Sequence, residues 1–123
     1  MKTVVAFFQI IVALGLLNVW LLRFGRSTAF RGGGARSMPE EFAVYGLPAW
    51  STYVIGVLKV GSALCLIAGF WFPQIVVPAA LVIVALMLGA LAMHWKVRDP
   101  LKKSLPALAM LTFSVIIAWG SSH

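Results

Sequence analysis

The stretch from Trp50 to Trp71, WSTYVIGVLKVGSALCLIAGFW, decides the fold. At about 1.5 Å of rise per residue, a helix of this length matches a hydrocarbon core of roughly 30 Å, which predicts a transmembrane helix. Lys59 lies near its middle, where a charged lysine costs roughly 2.5 to 3.5 kcal/mol on insertion scales. Neighbouring helices that form a polar interior would offset this cost. The stretch therefore predicts a helix bundle with a small polar pocket around Lys59.

The composition extends this prediction to the whole chain. Of the 123 residues, 62% are hydrophobic and 11% are charged, which is outside the range of soluble domains. The length accommodates about four spans with short connections and no separate soluble domain. We therefore expect an all-α, polytopic membrane protein made of a single domain, with no catalytic activity on its own. The four transmembrane helices of the bundle are predicted over residues 3–22, 50–71, 75–94 and 105–120.

Basic residues predict the orientation of this bundle. They cluster in the connections that follow the first and third spans, and these connections are therefore expected to be cytoplasmic, with both termini on the other side. The basic residues are Arg23, Arg26, Arg31, Arg36, Lys96, Arg98, Lys102 and Lys103. They are not interleaved with exposed stacking aromatics, so nucleic acid is not expected as a partner, whereas anionic lipid headgroups are.

The first connection also contains a helix signal. Ser37 is followed three residues later by Glu40, the spacing of a capping box, and Gly46 with Pro48 would end the helix. Met38, Phe42 and Tyr45 fall on one face of this segment. We predict a short amphipathic helix at the cytoplasmic interface.

Tryptophans and prolines refine the boundaries. All five tryptophans lie at predicted helix ends, where their rings prefer the headgroup level; they are Trp20, Trp50, Trp71, Trp95 and Trp119. The fourth span can begin at Ser104, or earlier at Asp99 and Pro100, in which case Pro106 would lie inside the helix.

Two features predict contacts between the spans. Gln9, inside the first span, is expected to hydrogen-bond across the bundle. Ala85 and Gly89 form a small-xxx-small pair that allows another helix to approach closely.

Counting depth along each span shows which polar groups can meet. Lys59, Asn18, Thr112 and His94 all fall in the cytoplasmic half of the bundle, at about 1.5 Å per residue from that side. They are predicted members of the polar pocket, and Glu41 is the fifth.

The acids all lie outside the spans. Of the three acids in the chain, Glu40 and Glu41 fall in the first connection and Asp99 in the second. We predict an ion pair between Lys59 and Glu41 beside His94, with Glu40 and Asp99 as the other carboxylate candidates. Two readings stay open: the pair fixes helix packing, or it belongs to a ligand or proton site.

Cofactor signals are few. His94 and His123 lie toward opposite sides of the predicted bundle, which argues against a shared haem, and no ligand cluster predicts a metal. Cys65 is the single cysteine, so a thiol relay within the chain is not expected.

Three stretches, in order and spacing, resemble the DoxX-like family of small bacterial membrane proteins. They are RGGGARSMPEEFAVYGLPAW (31–50), GVLKVGSALCLIAG (56–69) and LMLGALAMHWKVRDPLKKSLPA (86–107). The resemblance covers almost the whole chain, and its most specific pieces are Lys59 and the turn from His94 to Pro100. It implies a four-helix bundle in the bacterial inner membrane. Some relatives are linked to thiosulfate or sulfide oxidation with quinone as acceptor, and others to redox-associated complexes or assembly.

These observations lead to three functional hypotheses. The first is an accessory or assembly subunit of a larger membrane complex, with other membrane subunits or a second copy as partners. The second is a membrane subunit of a quinone-linked oxidoreductase, in which Lys59, His94 and Glu41 bind the quinone head group. The third is a small-molecule transporter, which ranks last because the first span carries no carboxylate.

Overall fold

The computed structural model describes residues 2–22, 25, 35 and 37–122. In this part of the chain, four helices are long and apolar enough to cross a membrane, and the predicted all-α membrane fold is confirmed. Helix α1 (Lys2–Leu17) continues into a π-helical turn (Asn18–Leu22), and α2 (Met38–Val44) is short. The other three are α3 (Ala49–Ala68), α4 (Val76–Lys96, preceded by a 3-10 turn at Pro73–Ile75) and α5 (Leu101–Ser121).

The four long helices pack as a closed ring. Helix α1 contacts α3 and α5, and α4 contacts the same two helices. Aliphatic side chains from every helix fill the centre, and Val12, Leu66, Ile83 and Ile117 are completely buried. Large apolar side chains cover the outer faces, as expected of a surface that meets lipid.

The short helix α2 follows the predicted pattern. The Ser37 hydroxyl accepts a hydrogen bond from the backbone N–H of Glu40 at 3.3 Å, and Gly46 ends the segment with a φ of +79°. Met38, Phe42 and Tyr45 are all buried. Helix α2 packs against α3, so its apolar face is covered by the bundle.

Two span boundaries differ from the predicted ones. Helix α3 ends at Ala68 rather than at residue 71, because the backbone N–H groups after Gly69 turn back to Ile67 and Ala68. Helix α5 begins at Leu101 directly after Pro100, with Pro106 inside it. The earlier of the two predicted starts is therefore the right one, and Ser104 is not the cap.

Trp20 departs from the predicted position at the headgroup level. The other four tryptophans are exposed on the outside of the bundle, whereas Trp20 is 6% exposed. Its ring packs edge-on to Phe42 of α2, with centroids 6.1 Å apart. The ring fits there because Gly56 in α3 has no side chain: a Cβ at that position would lie 2.8 Å from a Trp20 ring carbon.

Close helix approach occurs at other glycines than the predicted one. Ala85 and Gly89 are both exposed, and a Cβ on Gly89 would meet no atom within 4 Å. The tight positions are Gly15, Gly56 and Gly69, where an added Cβ would collide with Met110, Trp20 and Val76 respectively. The small pair in α4 is therefore not a point of close approach between helices of the bundle.

Gln9 makes the predicted cross-bundle contact. Its side-chain amide donates to the Leu66 carbonyl at 3.0 Å, in the last turn of α3, where the Phe70 N–H bonds to Ile67 instead. We expect Gln9→Leu to lower the free energy of unfolding by about 0.6 to 1 kcal/mol, because the buried carbonyl loses its donor. Unfolding by denaturant in detergent micelles measures this change.

Gln74→Leu is the matched control for Gln9→Leu, because Gln74 is exposed in the 3-10 turn. It should leave the free energy of unfolding unchanged. Equal effects of the two variants would show that the Gln9 bond does not stabilise the bundle.

Candidate functional site

A cavity of about 710 Å³ lies at the end of the bundle where α1 ends and α5 begins. We call this the α2 end, because α2 forms part of the cavity wall. Every helix contributes apolar side chains to the lining, for example Leu16, Phe42, Ile55, Met87 and Met110. An apolar wall drawn from five helices is typical of a small-molecule site.

Four of the five predicted pocket residues line this cavity. Asn18, Glu41, Lys59 and His94 come from the end of α1, from α2, from α3 and from α4, respectively. The structure therefore brings together residues that are far apart in the sequence, from Asn18 to His94.

The fifth, Thr112, lies outside the cavity. Its side chain is on the exposed face of α5, and its hydroxyl donates to the Leu108 carbonyl at 2.9 Å. Depth alone suggested Thr112, but its rotation around the helix turns it outward, and the buried hydroxyl of α5 is Ser114 instead.

Lys59 lines the cavity. Its side chain is half-buried, and its Nζ lies 5.2 Å from the centroid of the Trp20 ring. An ammonium over a tryptophan face is attracted by about 0.5 to 2 kcal/mol, more as water is excluded. The Trp20 ring, which was predicted from the sequence to lie at the membrane surface, therefore lies beneath the Lys59 ammonium.

Glu41 supplies negative charge on the same side of the cavity. Its carboxylate lies near enough to attract Lys59 electrostatically, and its Oε1 accepts a hydrogen bond from the Tyr45 hydroxyl at 2.7 Å. Direct contact between Lys59 and Glu41 stays a prediction. Glu40, the alternative carboxylate, is exposed and does not line the cavity.

Asp99 is the partner of His94 rather than of Lys59. The His94 Nδ1 and the Asp99 Oδ2 are 2.8 Å apart, and both side chains are buried. Lys103 approaches the other oxygen, with its Nζ 3.8 Å from Oδ1. Since carboxylates that hydrogen-bond a histidine fix its ring orientation, Asp99 determines how His94 faces the cavity.

The turn between α4 and α5 creates this contact. Arg98 adopts a left-handed conformation with φ of +56°, and the Asp99 N–H then donates to the His94 carbonyl at 3.0 Å. This helix-ending geometry returns the chain onto the last turn of α4. The Asp99 carboxylate is thereby placed beside the imidazole five residues earlier.

A further hydrogen bond fastens α2 to α4. The Lys96 Nζ donates to the backbone carbonyl of Tyr45 at 2.8 Å. The Tyr45 ring also packs edge-on to His94, with centroids 6.0 Å apart. Helix α2 is thus attached to the end of α4 on one side and covers Trp20 on the other.

Sequence reasoning missed Trp20, Tyr45 and Lys103 as members of this site. Tyr45 had a usable signal, because it lies four residues after Glu41 on the same helical face. Gly56, one turn before Lys59, was the sequence feature that could have indicated an aromatic ring packed closely against α3. The lining position of Lys103 follows from the early start of α5, which the sequence left open.

Other reactive side chains stay apart from the cavity. Cys65 is exposed on α3. Within the described residues, no three histidine, cysteine or acidic side chains come together as metal ligands. His123 lies outside the described residues.

Comparison with known proteins shows the family of this chain. The sequence profile of the DoxX-like family matches residues 11–117. This chain belongs to the DoxX-like family. The match runs from the middle of α1 to the last turns of α5, so it includes all four polar residues of the cavity that the sequence predicted, and it confirms the resemblance.

A curated relative is the uncharacterized protein YdgD of Bacillus subtilis strain 168. This DoxX-like chain is 31% identical to it over 83 residues, which are 67% of this chain and 73% of the relative. No solved structure matches the chain. The comparisons therefore establish a small membrane protein of the DoxX-like family.

Proposed function

We propose that this DoxX-like protein binds a lipid-soluble molecule with a polar ring, and that quinones are the class of ligand. One observation carries the proposal: the cavity combines an apolar lining with Lys59, Glu41 and His94, which reach it from three different helices. Its volume of about 710 Å³ is in the range of roughly 300 to 1,000 Å³ found for ligand sites. Several polar groups in an otherwise apolar cavity are the arrangement that orients a ligand.

The residues present suit a quinone ring. The Lys59 ammonium is a hydrogen-bond donor for a ring oxygen, and it is positioned by Trp20 beneath it. His94 is a second polar group, fixed by Asp99, and imidazole can exchange a proton. The methionine and aromatic side chains of the lining provide apolar contact for the ring itself. A quinone, when bound, would supply electron-carrying chemistry that the side chains of this chain lack.

Fluorescence of Trp20 tests the proposal directly. In a variant with the other four tryptophans replaced by phenylalanine, the remaining emission comes from the cavity wall, because Trp20 is buried there. We expect decylubiquinone to quench this emission saturably in lipid nanodiscs, with a dissociation constant in the micromolar range. Quinones quench by contact, so occupancy of the cavity should dominate the signal.

The control is a variant that keeps only Trp119. This residue lies at the other end of α5, exposed on the surface, and should show only the linear quenching of quinone dissolved in lipid. The proposal is wrong if Trp20 and Trp119 are quenched alike.

A second candidate role is that of an accessory or assembly subunit. It is favoured by the exposed Ala85 and Gly89 on α4, since small residues allow a helix of another subunit or of a second copy to approach closely. A stoichiometric partner recovered in mild detergent would support this role, and isolation of the chain alone would count against it. Placement in the bacterial inner membrane, with both termini on the non-cytoplasmic side, also remains a prediction from the basic residues.

A further inference from the structure

We infer that the cavity selects the hydroxyl-bearing form of its ligand, a quinol over a quinone, because His94 presents a hydrogen-bond acceptor to it. This inference rests on the proposed function and adds the chemical form of the ligand. It depends on the hydrogen bond between His94 and Asp99, and on the donor or acceptor role of Lys59 and the Tyr45 hydroxyl.

The first step concerns the proton on His94. A carboxylate only accepts hydrogen bonds, so the 2.8 Å contact from Asp99 Oδ2 to Nδ1 requires the proton on Nδ1. Lys103, 3.8 Å from the other carboxylate oxygen, favours the ionised form of Asp99. In a neutral imidazole with the proton on Nδ1, the other nitrogen, Nε2, carries a lone pair and accepts.

The second step concerns the direction of that lone pair. His94 lines the cavity and Asp99 does not, so the Nδ1 edge of the ring is committed to a partner outside the lining. Among the described residues, the hydrogen bond of the His94 ring is the one that joins Nδ1 to Asp99. Nε2 is therefore the ring nitrogen left to serve a ligand.

The third step compares the hydrogen-bonding roles of Lys59 and His94, which both line the cavity. Lys59 is a donor, and the Tyr45 hydroxyl is already committed to Glu41 at 2.7 Å. A quinone oxygen can only accept, which suits Lys59 but opposes the acceptor on His94. A quinol can accept a hydrogen bond from Lys59 through one hydroxyl oxygen and donate one to His94 through its other hydroxyl. Sites built to pair with a hydroxyl discriminate strongly against analogues that lack it.

The test compares decylubiquinol, kept reduced under anaerobic conditions, with decylubiquinone. Both are titrated against the variant in which Trp20 is the only tryptophan, in nanodiscs. We expect the quinol to bind at least tenfold more tightly. In His94→Phe, which keeps a flat ring beside Tyr45, the ratio of the two affinities should fall close to one.

Asp99 is a positioning residue in this scheme, and a spectroscopic signature tests it. In a His123→Gln background His94 is the only histidine, and its ¹⁵N NMR spectrum should show the proton on Nδ1. Asp99→Asn should shift the proton population toward Nε2 and reduce the preference for quinol several-fold. A purely structural role of Asp99 would change stability without moving the proton.

The outcomes separate the inference from the proposed function. Saturable binding of both forms with equal affinity, or tighter binding of quinone, overturns the inference and leaves the proposed function standing. A proton on Nε2 or a doubly protonated ring in the ¹⁵N spectrum of His94 in the otherwise unaltered protein also overturns it, even if His94→Phe fails to fold. Saturable binding of neither form means that the proposed function itself is wrong.

Discussion

Replacement of Lys59 by methionine is expected to weaken decylubiquinone binding by about tenfold to a hundredfold while the bundle still folds. Hydrogen bonds to charged groups contribute about 1.5 to 3 kcal/mol, which converts to that range of affinity. Methionine has a similar length and can occupy the space over Trp20. It also removes a charge whose insertion costs roughly 2.5 to 3.5 kcal/mol at the membrane centre. Titration of Trp20 fluorescence measures the affinity, and thermal unfolding in detergent measures the fold.

Lys102→Met is the matched control, because Lys102 is exposed in the first turn of α5. It should change neither quantity. The competing reading is that Lys59 only fixes helix packing. That reading is correct if Lys59→Met fails to assemble while Lys102→Met assembles normally.

The same series tests the predicted pairing of Lys59 with Glu41. Glu41→Gln keeps an acceptor for the Tyr45 hydroxyl while removing the charge that attracts the lysine. If the two charges form a pair, the effects of Glu41→Gln and Lys59→Met on stability should differ from additivity by more than about 0.5 kcal/mol. Additive effects would mean that the two charges act independently.

The spans could be predicted because a bilayer imposes length and hydropathy on each helix. The predicted range of residues 3–22 and the described Lys2–Leu22 nearly coincide. Agreement weakened where a turn competes with the helix, as after Ala68, or where two starts were equally compatible with the sequence, as before α5. In those places local hydrogen bonds set the end, and hydropathy does not report them.

Trp20 is the exception to the preference of tryptophans for the headgroup level. Tryptophans prefer the headgroup level because the ring is apolar and its N–H is polar, and four of the five are exposed. The fifth is buried by three neighbours on two other helices: Gly56 and Lys59 of α3, and Phe42 of α2. The burial of Trp20 depends on contacts with other helices, and the position of a tryptophan in its own helix does not predict such contacts.

The sequence predicted how deep the site residues lie along each span, but not on which face of its helix each side chain lies. Counting residues from one end of each span placed Lys59, His94 and Asn18 in the same half of the bundle, and all three line the cavity. Thr112 was at the right depth on the wrong face. The pairing of His94 with Asp99 needed one further fact, the left-handed conformation of Arg98, which non-glycine residues adopt rarely.

Gly56→Leu is expected to displace Trp20 and lower the free energy of unfolding by about 3 kcal/mol. A Cβ at Gly56 would lie 2.8 and 2.9 Å from two carbons of the indole ring, closer than any real carbon contact, and the rest of a leucine side chain would fill the space of the ring. Overpacking of this kind typically costs about 1 to 3 kcal/mol. Displacement of the Trp20 ring also removes its contacts with the Lys59 ammonium and with Phe42. Thermal unfolding and the emission wavelength of Trp20 measure the two effects.

Gly61→Leu separates this collision from a general effect of leucine in α3. Gly61 lies in the same helix, and a Cβ there would meet no atom within 4 Å. Both substitutions gain about the same helix propensity, so a difference between them reports the contact with Trp20. Trp20→Ala in the Gly56→Leu background should restore part of the stability, because the alanine leaves room for the new side chain. If Gly56→Leu is as stable as Gly61→Leu and the Trp20 emission is unchanged, then Trp20 does not pack on α3, and the cavity does not have the wall on which quinol binding depends.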